Sequence, residues 1–388
     1  MSQPADPFHP AKLYGLDHLR AFAITFVLLF HYRMFGHPHW TETAGKFGWT
    51  GVDLFFVLSG FLISTELFKE LSKTQTLSLK NFFIKRSFRI LPAYLLVVGI
   101  YFLIPAYHER EALPPLWRFL TFTQNFGLDL GKTGTFSHAW SLCVEEQFYL
   151  LLPLALLAIF RTRVSKNGIY ILGGLVVLGF IIRLLIWHGL VLPYANTDDF
   201  VIYWYKYIYY PIYNRLDGLL TGIAIAALFH FKPMLAARIA KHGNLFLPTG
   251  LLILACAYIL CMDTHSFYAT IFGFPLIALG YGLVVICAIC PGSIMHRYSS
   301  LITAKLAGLS YGIYLTHKGI IHLVQKYAGG MGVPVNSNQM LLLCLLFVLL
   351  GALLLQYTIE KPFLKLRKYI LKQGGFNKNT SAQTQKRF

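Results

Sequence analysis

The sequence predicts an all-α, polytopic membrane protein, a bundle of about ten transmembrane helices. Of its 388 residues, 56% are hydrophobic and 13% are charged, and the mean hydropathy is +0.56. This composition is too apolar for a soluble globular protein. Several apolar runs reach roughly 18 residues or more, the length at which a helix crosses a bilayer. The basic residues are concentrated in alternate loops, as expected when only one side of the membrane carries them.

Hydropathy and turn signals place ten spans at residues 18–35, 51–68, 90–106, 145–160, 169–188, 208–229, 245–262, 268–290, 306–325 and 339–360. A half-buried helix at 116–127 would be an eleventh. With the N-terminus in the cytoplasm, 24 of the 34 Lys and Arg residues fall in cytoplasmic segments and 7 in outer ones. The positive-inside rule therefore predicts that both termini are cytoplasmic. The net charge of +18 follows from this topology, so we expect no nucleic-acid partner.

The chain divides into three expected parts: a cytoplasmic segment at 1–15, a membrane domain at 16–367, and a basic, disordered cytoplasmic tail at 368–388. The first fifteen residues lack an apolar core and a small-residue cleavage site, so no cleaved signal peptide is predicted. After Tyr357 an amphipathic basic segment is expected to lie against the lipids of the inner surface.

The first span carries two ionisable residues, Arg20 and His31. Eleven helical residues make three turns plus about 20°, so the two side chains share one face, about 16 Å apart along the axis. Charged or ionisable groups at membrane depth usually face the bundle interior and act there. There is a purely structural alternative. Arg20 would extend to the lipid headgroups, and His31 would form a hydrogen bond with a neighbouring residue.

Other spans bring polar residues to a similar depth in the outer half. Asp53 opens the second span, and Glu145 and Glu146 stand where the fourth begins. Acidic residues also suit the first turn of a helix, so one glutamate is expected to cap it while Glu146 faces inward. The sixth span carries Arg215 and Asp217, and the ninth carries Ser310, Tyr311, Tyr314 and His317. Their convergence predicts a polar site inside the bundle.

A cationic cluster precedes the third span on the cytoplasmic side. Arg86 and Arg89 are three residues apart at the start of a helix and share a face, with Lys85 beside them. Headgroup anchoring would explain such residues, but guanidinium groups also bind phosphates through two parallel hydrogen bonds. A cytoplasmic cofactor with several phosphates would suit them.

No residue pattern predicts a metal site. Cys287 and Cys290 have the spacing of a metal or redox pair, but no second pair accompanies them and their surroundings are apolar. Free thiols in such runs behave as small hydrophobic groups.

Seven segments, in this order, resemble the acyltransferase-3 family of integral membrane O-acyltransferases. They are LDHLRAFAITFVLLFH, GVDLFFVLSGFLIS, KRSFRILPAY, WSLCVEEQFYLLLP, RLDGLLTG, LSYGIYLTH and IEKPFLKLRK, and the resemblance covers residues 14–367. The chain departs from the common family pattern at Cys143, where many members have serine, and at His18, where glycine is common. It resembles the stand-alone members, which lack a fused extracytoplasmic hydrolase-like domain.

The resemblance implies transfer of an acyl group, usually acetyl, from cytoplasmic acetyl-CoA or another acyl-CoA to a sugar hydroxyl. The acceptor would be a cell-surface polysaccharide, a glycolipid or an exported glycoside, at the plasma membrane of a bacterium. The family's histidine and arginine correspond to His31 and Arg20, its donor-binding arginines to Arg86 and Arg89, and its acidic motif to Glu146.

General chemistry agrees with these roles. A sugar hydroxyl needs a base, for which histidine is the usual choice, and an orienting carboxylate could come from Asp53 or Glu146. The oxyanion donor could be Arg20, Tyr314 or a backbone amide. Lys85 would join the donor site, and the remaining polar residues would contact the acceptor: Arg215, Asp217, Tyr314 and His317. Direct transfer is favoured over an acyl-histidine intermediate.

Two other classes of membrane protein use buried polar residues. A transporter could use His, Asp and Glu to relay protons, but it should show two repeat halves with paired broken helices, and no internal repeat is visible. A glycan flippase or polymerase predicts an arginine-rich outer loop, whereas residues 107–144 contain only Arg110 and Arg118. The enzyme is therefore the favoured interpretation.

Overall fold

The structure is a computed structural model that describes residues 13–161 and 168–384, with side chains described as far as residue 373. This part of the chain is helical and contains no β-strand. Its α-helices are α1 Tyr14–Tyr32, α2 His39–Gly45, α3 Gly51–Thr74, α4 Leu79–Leu103, α5 Leu116–Leu120, α6 Trp140–Arg161, α7 Gly168–Ile186, α8 Phe200–Trp204, α9 Asp217–Phe231, α10 Pro233–Lys241, α11 Phe246–Leu260, α12 Phe274–Ile289, α13 Ile294–Arg297, α14 Leu301–Gly330, α15 Asn338–Leu355 and α16 Lys361–Thr384.

The expected all-α polytopic bundle is confirmed, while the number of apolar helices is lower than the ten spans predicted. Seven helical segments in the described residues are long and apolar enough to cross a membrane: Gly48–Thr74, Leu79–Leu103, Ser137–Phe160, Gly168–Tyr194, Gly243–Leu260, Ala269–Ile289 and Asn338–Gln373. An eighth would combine α9 and α10, which meet at an angle of 106°. Helices α1 and α14, with 19 and 30 residues, are long enough but are not among the seven.

Helices α1 and α14 are the two that carry His31 and His317, and they pack against each other. Helix α1 also packs against α3 and α12. Polar side chains lower the apolar character of both helices, and two of them, His31 and His317, are buried. Burial between neighbouring helices allows polar residues at this position in the fold.

The predicted span at 208–229 is interrupted in the structure. A π-helical turn at Tyr205–Tyr209 ends before Pro211, and the helix resumes only at Asp217 as the 15-residue α9. Proline has no backbone N–H and restricts the residue before it, so a continuous helix through Pro211 is unfavourable. The break places Arg215 in an irregular segment before the first turn of α9.

The helix expected at 116–127 is limited to α5, Leu116–Leu120, and is followed by turns. Residue 368, where we expect the membrane domain to end and the cytoplasmic tail to begin, lies within α16, and this domain boundary stays a prediction. Residues 385–388 and most of the segment 1–15 lie outside the described residues.

Helices α3 and α9 pack backbone against backbone. A Cβ atom on Gly60 would collide with the carbonyl of Leu219, and one on Gly222 would collide with the backbone of Val57 and Phe61. Small residues permit this approach between membrane helices. The contact fixes the start of α9 against α3, which positions the charged residues on both helices.

Candidate active site

A cavity of about 290 Å³ runs between α1, α3, α4, α6 and α14. It collects most of the residues predicted for donor binding and catalysis. Its polar and charged lining consists of Arg20, Ser59, Glu66, Arg86, Arg89, Ser141, Glu145, Glu146, Tyr149, Ser310, Tyr311 and Tyr314. The remaining wall is apolar and comes mainly from α3, as Phe55, Phe56, Leu58, Leu62 and Ile63.

Three guanidinium groups, those of Arg20, Arg86 and Arg89, line this cavity. Arg20 lies 4.0 Å from Asp17 one turn earlier. Arg86 lies over the ring of Tyr149, with its central carbon 5.6 Å from the ring centroid, and Arg89 is exposed. The same lining carries three carboxylates, those of Glu66, Glu145 and Glu146, so an anion that binds these arginines would replace a carboxylate beside them.

Glu66 on α3 bridges two of the cations beside the cavity. Its carboxylate accepts hydrogen bonds from Lys85 at 2.8 Å and from Arg86 at 2.7 Å. Lys85 does not line the cavity, and its backbone carbonyl accepts a hydrogen bond from Arg367 of α16. The carboxylate thus occupies the position that an anionic ligand of Arg86 would take.

Both adjacent glutamates of α6 line the cavity, whereas the sequence led us to expect one of them to cap the helix. The physical reason is that α6 already begins at Trp140, so neither residue lies in its first turn. Glu145 accepts hydrogen bonds from Ser59 and Tyr149. The Oε1 atom of Glu146 is buried without a hydrogen-bond partner in the described residues.

Tyr314 and Ser141 form the wall between the cavity and a cluster of histidines. The Tyr314 hydroxyl donates to the backbone carbonyl of His138 at 2.6 Å. Because its single proton is used there, the Ser141 hydroxyl must donate to the Tyr314 oxygen, 2.5 Å away. The Tyr314 ring lies 5.6 Å from the His138 ring and 6.0 Å from that of His317, measured between centroids.

The cluster consists of His31, His138 and His317, all buried. His317 Nδ1 lies 3.0 Å and 2.9 Å from the backbone carbonyls of Ile313 and Tyr314, so this nitrogen carries the proton. In a neutral imidazole the other nitrogen, Nε2, then accepts, and its partner 2.9 Å away is His31 Nδ1. His31 is therefore protonated on Nδ1, and its Nε2 keeps a lone pair that can accept a proton.

His317 supplies the orienting hydrogen bond that we expected from Asp53 or Glu146. Asp53 is 2% exposed and forms an ion pair with Arg215 at 2.9 Å. The Arg215 guanidinium is enclosed by aromatic rings, with centroids at 4.6 Å for Tyr209 and 4.2 Å for Phe274. The carboxylate is thus committed to a cation, and Glu146 lines the cavity on the other side of Tyr314.

Arg215 and Asp217 were expected to contact substrate, but the structure places both in interhelical ion pairs. Arg215 binds Asp53 of α3. Asp217 accepts two hydrogen bonds of 2.9 Å from Arg183 of α7, a residue that is almost completely buried. Neither Arg215 nor Asp217 lines the cavity. The two pairs link α3 and α7 to the start of α9, and contact with the acceptor stays a prediction for both residues.

A third buried ion pair lies next to the cluster. Lys318, adjacent to His317, contacts Glu109 at 3.0 Å, and both side chains are nearly inaccessible. Glu109 also accepts from the backbone N–H of Phe136. Burial raises the pKa of the Glu109 carboxyl, but the Lys318 ammonium and these hydrogen bonds outweigh it and hold the pKa below its usual range. The pair therefore fastens the loop that carries His138 onto α14.

Sequence reasoning did not select His138, Glu109, Lys318 or Glu66. Lys318 had a usable signal, since it is a charged residue inside an apolar helix and adjoins a selected histidine. Glu109 and His138 lie in or beside a long irregular loop, where no periodicity indicates which side chains face inward. Within the described residues, no group of three or more His, Cys, Asp or Glu residues is arranged to hold a metal ion.

Comparison with known proteins places the chain in a family. Residues 13–357 match the acyltransferase domain of the acyltransferase-3 family. The chain is 26% identical over 377 residues to the O-acetyltransferase OatA of Staphylococcus aureus, covering 92% of this chain and 58% of that protein. It is 29% identical over 326 residues to the peptidoglycan O-acetyltransferase OatA of Listeria monocytogenes, covering 80% of this chain and 49% of that protein.

The chain thus spans about half the length of the curated relatives it matches. No solved structure matches it significantly. The family match extends over most of the helices described above, including those that carry Arg20, His31, Arg86, Arg89, Glu146 and His317. The chain belongs to the acyltransferase-3 family of membrane acyltransferases.

Proposed function

We propose that this protein transfers an acetyl group from cytoplasmic acetyl-CoA to a sugar hydroxyl of a cell-wall polysaccharide at a bacterial plasma membrane. One observation carries the proposal: a cavity lined by three arginines reaches Tyr314, whose ring lies 6.0 Å from that of His317, the hydrogen-bond partner of His31. The relatives' names supply the acetyl group and peptidoglycan as the acceptor class.

The donor would bind along the cavity. Its phosphates suit Arg86 and Arg89, because guanidinium groups form strong paired hydrogen bonds with phosphate oxygens. The pantetheine arm suits the apolar wall supplied by α3. The thioester would then reach Tyr314, and a movement of this side chain would admit it to the histidine cluster.

The reaction needs one base. His31 Nε2 takes the proton of the acceptor hydroxyl, and the oxygen of that hydroxyl forms a bond with the thioester carbonyl carbon. The tetrahedral intermediate collapses by breaking the carbon–sulfur bond, and the imidazolium returns the proton to the departing thiolate. The products are the O-acetyl sugar and free CoA. His317 stabilises the imidazolium by accepting the hydrogen bond from Nδ1.

The donor site is tested by replacing its arginines. In membranes supplied with acetyl-CoA carrying ¹³C in the acetyl group, the wild type should place the label on the carbohydrate fraction. Arg86→Ala and Arg89→Ala should each weaken acetyl-CoA binding by about tenfold or more, since a hydrogen bond to a charged group contributes about 1.5–3 kcal/mol. Lysine at either position should restore binding only in part.

The matched control is Arg238→Ala, an exposed arginine of α10 that does not line the cavity. It should bind acetyl-CoA like the wild type. Normal calorimetric binding by the Arg86→Ala/Arg89→Ala double variant would mean that these arginines anchor headgroups. Absence of label on carbohydrate in the wild type would refute acetyl transfer itself.

A substitution of Glu66 should strengthen acetyl-CoA binding, whereas the arginine substitutions should weaken it. Since its carboxylate competes with phosphate for Lys85 and Arg86, Glu66→Gln should tighten acetyl-CoA binding by about two- to fivefold, the value of a partly exposed ion pair. Calorimetry of the purified variant measures this change. Weaker binding by Glu66→Gln would show that the carboxylate positions the cations and does not compete with the ligand.

A further inference from the structure

His138 differs from the other two members of the histidine cluster. It is 2% exposed. Its ring interacts with the backbone carbonyl of Leu315, but neither Nδ1 nor Nε2 forms a hydrogen bond of ordinary geometry in the described part of the chain. Burying an imidazole without partners is unfavourable, because its water hydrogen bonds are lost and not replaced. Unsatisfied polar groups of this kind call for an explanation, and a ligand that forms the missing bond is one.

The His138 ring shares its surroundings with the proposed base. Its centroid lies 5.8 Å from that of His31 and 4.8 Å from that of His317. The residue is held in a 3₁₀ turn at Ser137–Ala139, immediately before α6. Its backbone carbonyl is fixed by the Tyr314 hydroxyl. A reacting group beside His31 would therefore also adjoin a ring whose position is set by the fold.

The neighbouring groups already donate their N–H or O–H groups to other acceptors. His31 Nδ1 donates to His317, and His317 Nδ1 donates to backbone carbonyls. Tyr314 donates to the His138 carbonyl. Arg20, another donor considered from the sequence, stands about 16 Å from His31 along α1. Among the histidines and Tyr314, His138 is the residue whose N–H forms no hydrogen bond of ordinary geometry in the described residues.

We propose that His138 donates this N–H to the carbonyl oxygen of the thioester and stabilises the oxyanion of the tetrahedral intermediate. The inference rests on the proposed acetyl transfer and adds a catalytic residue to it. As the acceptor oxygen bonds to the carbonyl carbon, the π electrons move onto the carbonyl oxygen, which His138 binds. They return when the carbon–sulfur bond breaks, while the proton travels from the hydroxyl through His31 to the thiolate. A preorganised donor in a buried site is well suited to this task.

Two substitutions test the role of the N–H. His138→Ala removes the donor and should lower kcat for acetyl transfer by about a hundred- to a thousandfold, the usual effect of losing one oxyanion donor. The KM for acetyl-CoA should change little, because the phosphate contacts are elsewhere. His138→Gln keeps an N–H donor but has no basic nitrogen. Its kcat should be at least about tenfold higher than that of His138→Ala. His322→Gln, on α14 outside the cluster, is the matched control and should transfer like the wild type.

A spectroscopic measurement makes the test independent of turnover and of folding differences. In a His31→Gln background, where the thioester persists, the infrared carbonyl band of bound ¹³C-acetyl-CoA should lie at lower frequency with His138 present than in the double variant with His138→Ala. An unshifted band refutes the proposal, as does His138→Gln activity as low as that of His138→Ala. If His31→Gln abolishes transfer but His138→Ala does not, this inference fails while the proposed function stands. If the wild type transfers no acetyl group, the proposed function fails.

Discussion

Replacing His31 with glutamine is expected to abolish acetyl transfer while leaving acetyl-CoA binding intact. Glutamine can still donate a hydrogen bond to His317 Nε2, which now contacts His31 at 2.9 Å, but it cannot accept a proton from the sugar hydroxyl. Loss of a general base costs about a hundred- to ten-thousandfold in rate. Mass spectrometry of O-acetyl groups on carbohydrate, in membranes containing each variant, measures the effect.

Replacing His317, the hydrogen-bond partner of His31, should lower the rate of acetyl transfer less than replacing His31. In His317→Ala the His31 ring loses the acceptor that fixes its tautomer, so part of the population would present a protonated Nε2. His322→Gln, which changes a histidine of α14 outside the cluster, should leave transfer unaffected. Transfer at the wild-type rate by His31→Gln would eliminate both base catalysis and an acyl-histidine intermediate.

The two routes to product can also be separated with His31. If the acetyl group moves directly, protein quenched after mixing with acetyl-CoA in the absence of acceptor carries no acetyl group on His31. A covalent route predicts an acetylated His31 peptide under the same conditions. The tautomer assigned here serves either route, because the free Nε2 lone pair is needed for both proton removal and nucleophilic attack.

The sequence predicted the class of fold and the convergence of polar residues from several helices, but less of the contacts within the site. Arg20, Arg86, Arg89, Glu146 and Tyr314 line one cavity, whereas the sequence placed Arg86 and Arg89 in a separate cytoplasmic cluster. Periodicity operates within a helix, so it indicates the face of a residue and not its partner on another helix. This is why Asp53 could be placed at the depth of His31 while its ion pair with Arg215 could not be foreseen.

Irregular segments limited the prediction further. The loop before α6 contributes Glu109 and His138, and the break after Pro211 positions Arg215. Neither segment has a repeating pattern from which a facing direction can be derived. The alignment of Lys318 with Glu109 depends on how that loop packs onto α14, which is a tertiary contact between residues far apart in the chain.

Breaking the Glu109–Lys318 ion pair should cause the largest single loss of stability among the contacts around the histidine cluster. Its two side chains are 2% and 3% exposed, and removing one partner of such a pair leaves the other charge buried without compensation. Lys318→Met is therefore expected to destabilise the protein by about 3–5 kcal/mol. Thermal unfolding of the purified protein in detergent, followed by tryptophan fluorescence, should show a clearly lowered midpoint.

The double variant tests the cause. Replacing both residues, as Glu109→Gln with Lys318→Met, removes both charges and should recover much of the lost stability, because a neutral pair avoids the uncompensated charge. The Lys318 ammonium holds the pKa of the Glu109 carboxyl below its ordinary value of about 4.3. Its contribution to stability is therefore present above that value and is lost as the pH falls through the folded-state pKa. A single variant as stable as the wild type would mean that water reaches the pair, and the loop carrying His138 would then have to be held by its backbone contacts alone.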